Sequence, residues 1–291
     1  MRCVGWLIMA LLGAPALAET RALVAAGLGG EPDYESEFQR QAQASAAELR
    51  KVASDVTVLL GEAATRERLR DELEALAARS GGDDAVVVLL IGHGSYDDRD
   101  YRFNLPGADV TGEELARWLE VLPATRQLVV AATSSSGALQ PLLTEAPRMV
   151  ITATRSGGER NVTVFPRYFA AALADAAADT DKDGYVSVVE AFRFAEAAVT
   201  AHYYERNQMA TEHPTLGGPE MTLALARIDA IPAFDPGSGV ERDRLEVLEA
   251  EIVALRADKA SREADDYYAE LQRLLLEIAM LRRRLGEERS P

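Results

Sequence analysis

The 291-residue sequence contains a single cysteine, Cys3. It lies in an N-terminal segment with a charged start, an apolar stretch over residues 4–12 and small residues at the Ala16-x-Ala18 spacing. This pattern is typical of a secretory signal peptide cut after Ala18, and a buried N-terminal strand or helix is the alternative. We therefore expect residues 1–18 to be removed and the protein to be periplasmic or secreted. The remaining chain would contain no thiol, which excludes disulfides, thiolate metal sites and a cysteine nucleophile.

Long apolar runs and positive charge are also scarce. The N-terminal apolar stretch is shorter than the roughly 20 residues that a membrane-spanning helix needs, and no later stretch is apolar enough to span. We therefore expect no membrane span. The chain has 31 basic and 47 acidic residues, which gives a formal net charge of −16 at pH 7. Such a charge disfavours nucleic acid or an anionic membrane as a partner.

Short apolar segments alternate with amphipathic ones over residues 19–231. Segments that are apolar on both faces are typical of strands in a covered parallel sheet. The sequence therefore predicts an α/β domain whose mostly parallel sheet is covered by helices on both faces. Strands are predicted at Arg21–Leu28, Asp55–Leu60, Ala85–Ile91, Leu128–Ala132 and Met149–Ala153. Helices are predicted at residues 35–52, 65–79, 165–178 and from 190 to about 206, and another begins at Thr111 with Glu114 at the capping-box spacing.

A separate helical segment is predicted at the C-terminal end. Residues 232–239 are rich in proline and glycine, which indicates a linker. Residues 240–288 contain no proline and carry two apolar series that are out of phase. They predict either a helical hairpin that turns around residues 259–262 or a coiled coil with a phase break. These helices either join copies into a homo-oligomer or pack on the main domain. The two series are Leu245, Leu248, Ile252 and Leu255, and Tyr267, Leu271, Leu274, Ile278, Leu281 and Leu285.

The acidic segment Asp179–Glu190 matches the twelve-residue calcium loop of an EF-hand. It places side-chain oxygens at loop positions 1, 3, 5, 9 and 12 and a carbonyl oxygen at position 7. Calcium binds six to eight oxygens, and Gly184 at position 6 allows the sharp turn. A solvated acidic loop is the alternative. We find no second loop in the sequence, so a structural Ca²⁺ site is favoured over a sensor. The predicted ligands are Asp179, Asp181, Asp183, Tyr185, Ser187 and Glu190.

Polar residues directly follow two of the predicted strands. His93 and Gly94 come after the third strand, and Ser134 lies in a serine-rich turn after the fourth. Catalytic and ligand sites of open parallel sheets form at such strand ends. Taken alone, the histidine can be a hydrogen-bonded turn residue and the serines a helix cap. Together they are the candidate catalytic residues.

These two peptides, about 40 residues apart, resemble the pattern of the legumain and caspase-type cysteine peptidases. The resemblance covers roughly residues 21–204, and some bacterial members also carry an Asp-rich loop before a final helix. It implies a caspase-like fold with His93 as general base and the Gly94 N–H as one half of the oxyanion hole. It also places Ser134 at the position of the nucleophilic cysteine.

Ser134 is a departure from that family, because a hydroxyl is a far weaker acid than a thiol. It needs a base that a third group holds in the right tautomer. Asp97 or Asp98 could be that group, although spacing specifies neither. We therefore predict a non-catalytic pseudoenzyme, stabilised by calcium, that binds an unknown protein or peptide. A serine-type hydrolase that uses Ser134 and His93, and an unrelated α/β domain with a calcium site, stay open as alternatives.

Overall fold

The computed structural model describes residues 18–145, 147–228 and 264–284, together with scattered residues between 244 and 262. The chain divides into two compact units, residues 1–228 and 229–291. Most of the predicted signal peptide and the whole predicted linker lie outside the described residues. None of the helices in these ranges is long and apolar enough to cross a membrane.

The first unit alternates strands and helices along the chain. In order, its described elements are β1 (Thr20–Ala26), α1 (Pro32–Leu49), β2 (Asp55–Leu59), α2 (Arg66–Arg79), β3 (Ala85–Gly92), β4 (Gly94–Tyr96), β5 (Tyr101–Phe103), β6 (Val110–Thr111), α3 (Gly112–Glu120), β7 (Arg126–Thr133), α4 (Gln140–Leu143), β8 (Arg148–Thr152), α5 (Phe165–Ala172), β9 (Tyr185–Ser187), α6 (Val188–Glu205), β10 (Thr215–Gly217) and β11 (Ala224–Arg227). Short 3₁₀ helices lie at Gly61–Ala63 and Ser136–Leu139.

Among the described residues, six strands form the central sheet in the order β10-β8-β7-β3-β1-β2. The five longer strands pair in parallel, and the edge strand β10 is antiparallel to β8. β3 and β7 lie in the middle, and almost every residue of both is buried. This position explains why their sequences are apolar on both faces. The predicted α/β fold with a mostly parallel sheet is confirmed.

Helices cover both faces of this sheet, as β1 illustrates. Ala22, Val24 and Ala26 belong to one hydrophobic core, which α1, α5 and α6 complete. Leu23 and Ala25 belong to the opposite core, which α2 and α3 complete. Successive side chains of a strand point to opposite faces, so the two cores lie on the two sides of the sheet. This arrangement is the one predicted from the sequence.

Two features differ from the prediction. α5 ends at Ala172 rather than at residue 178, because Asp175 accepts a hydrogen bond of 2.9 Å from the Ala177 N–H and starts a turn. Two small antiparallel sheets, β4-β5-β6 and β9-β11, were not predicted at all. Their strands are two to four residues long, which is too short for an alternating pattern to be visible.

In the second unit, α7 (Ala264–Arg284) packs against the helical residues that precede it. Leu248, Ile252 and Leu255 form one hydrophobic cluster with apolar residues of α7. Arg244 and Glu277 form an ion pair of 2.9 Å between the same two segments. The described members of the two predicted apolar series therefore contact each other within one chain, as they do in a helical hairpin. Leu285, the last member of the second series, lies outside the described residues.

Candidate functional site

The carboxyl ends of β3 and β7 bring the candidate residues together. The two strands are parallel neighbours with Gly92 opposite Thr133, so the residues that follow them meet at one edge of the sheet. There the Gly94 N–H donates a hydrogen bond of 3.2 Å to the Ser134 Oγ. This buried hydrogen bond joins the two peptides of the predicted site.

The His93 ring is held by a different part of the chain. Its Nε2 lies 3.0 Å from the Gly29 carbonyl oxygen, and Nε2 carries the proton because a carbonyl can only accept. The rings of Tyr34 and Phe38 on α1 pack edge-on against the imidazole, with centroids 5.7 and 5.2 Å away. Within the described part of the chain, no hydrogen bond connects His93 with Ser134. His93 thus anchors the loop between β1 and α1.

The serine-rich turn after β7 is withdrawn from solvent. Ser134 is 2% exposed, and Ser135 and Ser136 are fully buried. Ser135 has a φ of 55°, a left-handed conformation that is uncommon for a residue with a side chain. Its N–H donates to the Glu159 carbonyl at 2.8 Å, whereas its Oγ has no hydrogen-bond partner among the described residues. Strained turns of this kind are found at functional sites, but here the three serine side chains are buried.

The loop that follows β8 supports the turn from one side. The Ser136 Oγ accepts hydrogen bonds from the N–H groups of Ala153 and Thr154, at 3.0 and 3.2 Å. The Gly137 N–H donates to the Thr154 Oγ1 at 2.8 Å. A Cβ at Gly137 would lie 2.1 Å from the Ser156 nitrogen, so a larger residue does not fit. The glycine of the predicted turn is therefore required by close packing.

Tyr101 of β5 supports the turn from the other side. Its hydroxyl oxygen lies 2.6 Å from the Thr133 Oγ1, and burial raises the pKa of Tyr101 well above its usual value. A Cβ at Gly94 would lie 2.6 Å from the Tyr101 ring and 2.4 Å from the Ser134 carbonyl oxygen. The small sheet that the sequence did not predict is thus part of the site.

Neither acidic residue that was considered as an orienting group contacts the candidate histidine. Asp97 accepts a hydrogen bond of 2.8 Å from the Asp100 N–H, and it forms an ion pair of 3.0 Å with Arg102. These interactions hold the pKa of Asp97 at about 2. Asp98 forms an exposed ion pair of 2.9 Å with Arg160. The possibility that either residue orients the histidine is therefore wrong for this structure, and no triad of the serine type is formed by these residues.

A histidine–carboxylate pair near the serine turn was not predicted. The His213 Nδ1 lies 2.6 Å from the Glu159 Oε1, and the His213 N–H donates to Oε2 at 3.1 Å. Glu159 is the residue whose carbonyl accepts the Ser135 N–H, so the pair braces the turn. The two residues lie in separate loops, and neither periodicity nor spacing in the sequence could have signalled their contact.

The predicted calcium loop gathers three carboxylates. Asp179, Asp181 and Asp183 each place one oxygen within 4.8 Å of the others. Gly184 has a φ of 87°, which is the left-handed conformation that this loop position needs. The first three predicted side-chain ligands are therefore brought together.

One carboxylate oxygen of this group indicates that a ligand binds here. Asp179 is 5% exposed, and its Oδ1 is buried with no hydrogen-bond partner among the described residues. Its Oδ2 accepts a hydrogen bond of 3.1 Å from the Gly184 N–H. A buried carboxylate oxygen without a partner is costly. A hard cation between the three carboxylates would satisfy it, so these residues fit calcium.

Glu190 lies outside this group of three. Its Oε1 accepts hydrogen bonds from the Thr180 N–H and hydroxyl, both at 2.8 Å. Its Oε2 accepts from the Ser187 N–H and hydroxyl at 3.0 and 2.8 Å, which closes a capping box at the start of α6. Burial alone would raise the pKa of Glu190, but these hydrogen bonds outweigh it and set the pKa at about 2. Chelation by both oxygens would require these hydrogen bonds to be exchanged for the ion.

The strand β9 connects the predicted calcium loop to the rest of the domain. It contains two of the predicted ligands, Tyr185 and Ser187. β9 pairs antiparallel with β11, and the Ile228 N–H donates to the Gly184 carbonyl at 2.9 Å. Val186 at loop position 8 is fully buried in the core. Tyr185, whose carbonyl is a predicted ligand, keeps an exposed side chain. A cation in the loop would therefore act directly on the packing of the first unit.

No protein-family model matches this chain, and no curated protein matches it in sequence. Several solved structures are similar to it. A protein from Geobacter sulfurreducens has 14% identity and a TM-score of 0.49, over 70% of this chain and 95% of that one. Caspase-1 from Spodoptera frugiperda has 11% identity and a TM-score of 0.49, over 73% and 92%. The Drosophila initiator caspase Dronc has 12% identity and a TM-score of 0.43, over 74% and 87%.

Proposed function

We propose that this chain is an exported, calcium-stabilised protein whose caspase-like domain lacks peptidase activity and binds a protein or peptide partner. The observation that carries the proposal is the buried hydrogen bond from the Gly94 N–H to the Ser134 Oγ. The N-terminal pattern of residues 1–18 supports export.

Acyl transfer by a serine requires an accessible hydroxyl, a base within hydrogen-bond reach and a free donor for the oxyanion. Ser134 is 2% exposed, so a substrate carbonyl has little access to its hydroxyl. The Gly94 N–H, which the resemblance assigns to the oxyanion hole, donates to the hydroxyl itself. Because the His93 Nε2 donates to the Gly29 carbonyl, Nδ1 is the basic nitrogen of the ring, and among the described residues His93 forms no hydrogen bond with Ser134. All three requirements are unmet in this arrangement.

Calcium binding is supported by the chemistry of the donor set. Asp179, Asp181 and Asp183 converge, and the unpartnered Asp179 Oδ1 is buried beside them. Three converging carboxylates repel each other, and a divalent cation relieves this repulsion. Because β9 and β11 tie the loop to the core, calcium in this protein serves stability rather than a groove that opens.

The absence of peptidase activity is tested with a fluorophosphonate probe and with legumain- and caspase-type peptides, in calcium and in chelator. We expect no labelling and no hydrolysis. Ser134→Ala should behave as the wild type does. Ser156→Ala is the matched control, because Ser156 is an exposed serine in the neighbouring loop. Stoichiometric labelling that disappears in Ser134→Ala but persists in Ser156→Ala would contradict the proposal.

A serine-type hydrolase is the second candidate. The observation that favours it is that Ser134 and His93 follow adjacent parallel strands, the place where such sites form. In that case the unprotonated Nδ1 of His93 must come within hydrogen-bond reach of the Ser134 hydroxyl, and His93→Ala and Ser134→Ala must each abolish labelling by the probe. A probe signal that needs both residues would replace the first proposal by this one.

A further inference from the structure

α7 carries apolar side chains over more of its circumference than one neighbouring helix can cover. One stripe faces the preceding segment and forms the hairpin core, with Leu274 and Ile278 buried at its centre. A second stripe lies beside it and is exposed. Its large members are Tyr268, Leu275, Leu276 and Met280, which are 58, 49, 52 and 56% exposed. A helix that is apolar on several sides is normally buried on several sides.

Three charged residues in the middle of α7 lie on a different side. With 3.6 residues per turn, Glu270, Arg273 and Glu277 fall on one narrow side of the helix. There Arg273 pairs with Glu270 at 2.7 Å and with Glu277 at 3.2 Å. Gln272 is the polar residue within the exposed apolar face, and it carries no charge. The face defined by Tyr268, Gln272, Leu275, Leu276 and Met280, the outer face of α7, is therefore suited to contact with another apolar surface.

We propose that the outer face of α7 pairs with the outer face of a second copy, with the two helices antiparallel. The two hairpins would then form a four-helix bundle with a two-fold axis close to the middle of α7. In such an interface the same residues meet on both sides, so a face that is apolar along its length is self-complementary. This pairing of α7 requires neither the proposed lack of catalysis nor calcium binding.

The charge of the two ends of α7 selects the antiparallel orientation and the second copy as occupant. α7 begins with Asp265 and Asp266 and ends with the three arginines of residues 282–284. An antiparallel pair places each acidic end beside the basic end of its partner. A parallel pair would place like charges together, which is unfavourable. The complementary partner of this helix is therefore another α7.

The first test is the solution mass of the full chain by light scattering over a wide range of protein concentration. We expect a dimer for the wild type and a monomer for Leu275→Glu/Leu276→Glu. The matched control is Tyr204→Glu/Met209→Glu, which changes two exposed apolar residues of the first unit in the same way. The control should stay dimeric. Circular dichroism melting checks that both variants are folded. A monomeric wild type, or a dimer that survives the α7 variant, would overturn the proposal.

The second test measures orientation by disulfide cross-linking in a Cys3→Ser background, where an introduced cysteine is the only one in the chain. Leu275→Cys lies near the centre of α7 and should cross-link to its own copy. Tyr268→Cys should not, because in an antiparallel pair the two positions lie about 20 Å apart along the axis. A disulfide needs Cα atoms within about 7 Å. Cross-linking of both variants indicates a parallel pair, and cross-linking of neither excludes the interface.

Discussion

Glu114 shows how one carboxylate joins two elements of the fold. It accepts a hydrogen bond of 3.1 Å from the Thr111 N–H, which closes the capping box of α3. It also pairs with Arg66 of α2, and this bond is the main reason why the pKa of Glu114 falls from 4.5 to about 2. The ionised form therefore stabilises the folded state above pH 4.5, and this contribution is lost as the pH falls towards 2.

We expect Glu114→Gln to lower the free energy of unfolding by about 1 to 2 kcal/mol at pH 7. The difference from the wild type should shrink steadily as the pH falls from 4.5 towards 2. Urea unfolding at a series of pH values measures the loss of stability at pH 7 and its dependence on pH. Glu113→Gln, an exposed neighbour on the same turn, is the control and should have little effect. An equal loss of stability at every pH would show that the charge of Glu114 is not what matters.

At the residue scale, the places of the candidate catalytic residues in the fold could be predicted from the sequence, but the residues that contact them could not. That His93, Gly94 and Ser134 follow strand ends is visible in the apolar runs before them. That Tyr34 and Phe38 enclose the histidine ring depends on how α1 packs over the sheet. Local patterns carry no information on such contacts, because the residues that make them lie far apart in the chain. These contacting residues determine whether a candidate catalytic side chain is free to react.

At the scale of elements, the proposed calcium site in Asp179–Glu190 leads to a separate prediction. Calcium should raise the melting temperature of the wild type through ligand linkage. We expect an affinity weaker than that of cytosolic sensors, on the order of 10⁻⁵ to 10⁻³ M, a range that includes extracellular calcium modules. Equal melting temperatures in calcium and in chelator would contradict a calcium site in this loop.

Two loop variants distinguish ligands from structural residues. Asp179→Asn should remove most of the calcium-induced shift and raise the melting temperature in chelator, because it removes one of three repelling carboxylates and the charge on the unpartnered Asp179 Oδ1. Glu190→Gln should reduce the shift and also lower the melting temperature in chelator, because Thr180 and Ser187 donate to its carboxylate. Glu196→Gln, an exposed position farther along α6, is the control. A full shift in Asp179→Asn would show that the group of three carboxylates is not the site.

Long helices and strands whose own sequence shows a clear pattern were predicted well, and the shortest strands were not predicted. β3 and β7 are continuous apolar runs, and α3 begins at a capping box that the sequence displays. The strands β4, β5 and β9 are three residues long. Their existence depends on pairing with distant segments rather than on their own pattern. β5 carries Tyr101 and β9 is part of the predicted calcium loop, so both lie where function is proposed.

At the scale of the whole molecule, the two units have separate hydrophobic cores. Two clusters within residues 22–226 fill the two sides of the sheet. A third cluster, with Leu248, Leu274 and Leu281 among its members, fills the hairpin. A cooperative domain generally has its own core and can fold alone. The first unit should therefore keep its stability and its response to calcium without the second.

Deletion of all residues after Ser238 tests this separation. We expect the shortened chain to keep the melting temperature of the first unit and its shift with calcium, because neither core of that unit is changed. We also expect it to be monomeric, because the outer face of α7 is lost. Calorimetry in calcium and in chelator, together with light scattering, measures these three properties. A large fall in the melting temperature of the first unit would show that the hairpin packs on the α/β domain, and would favour that arrangement over assembly through α7.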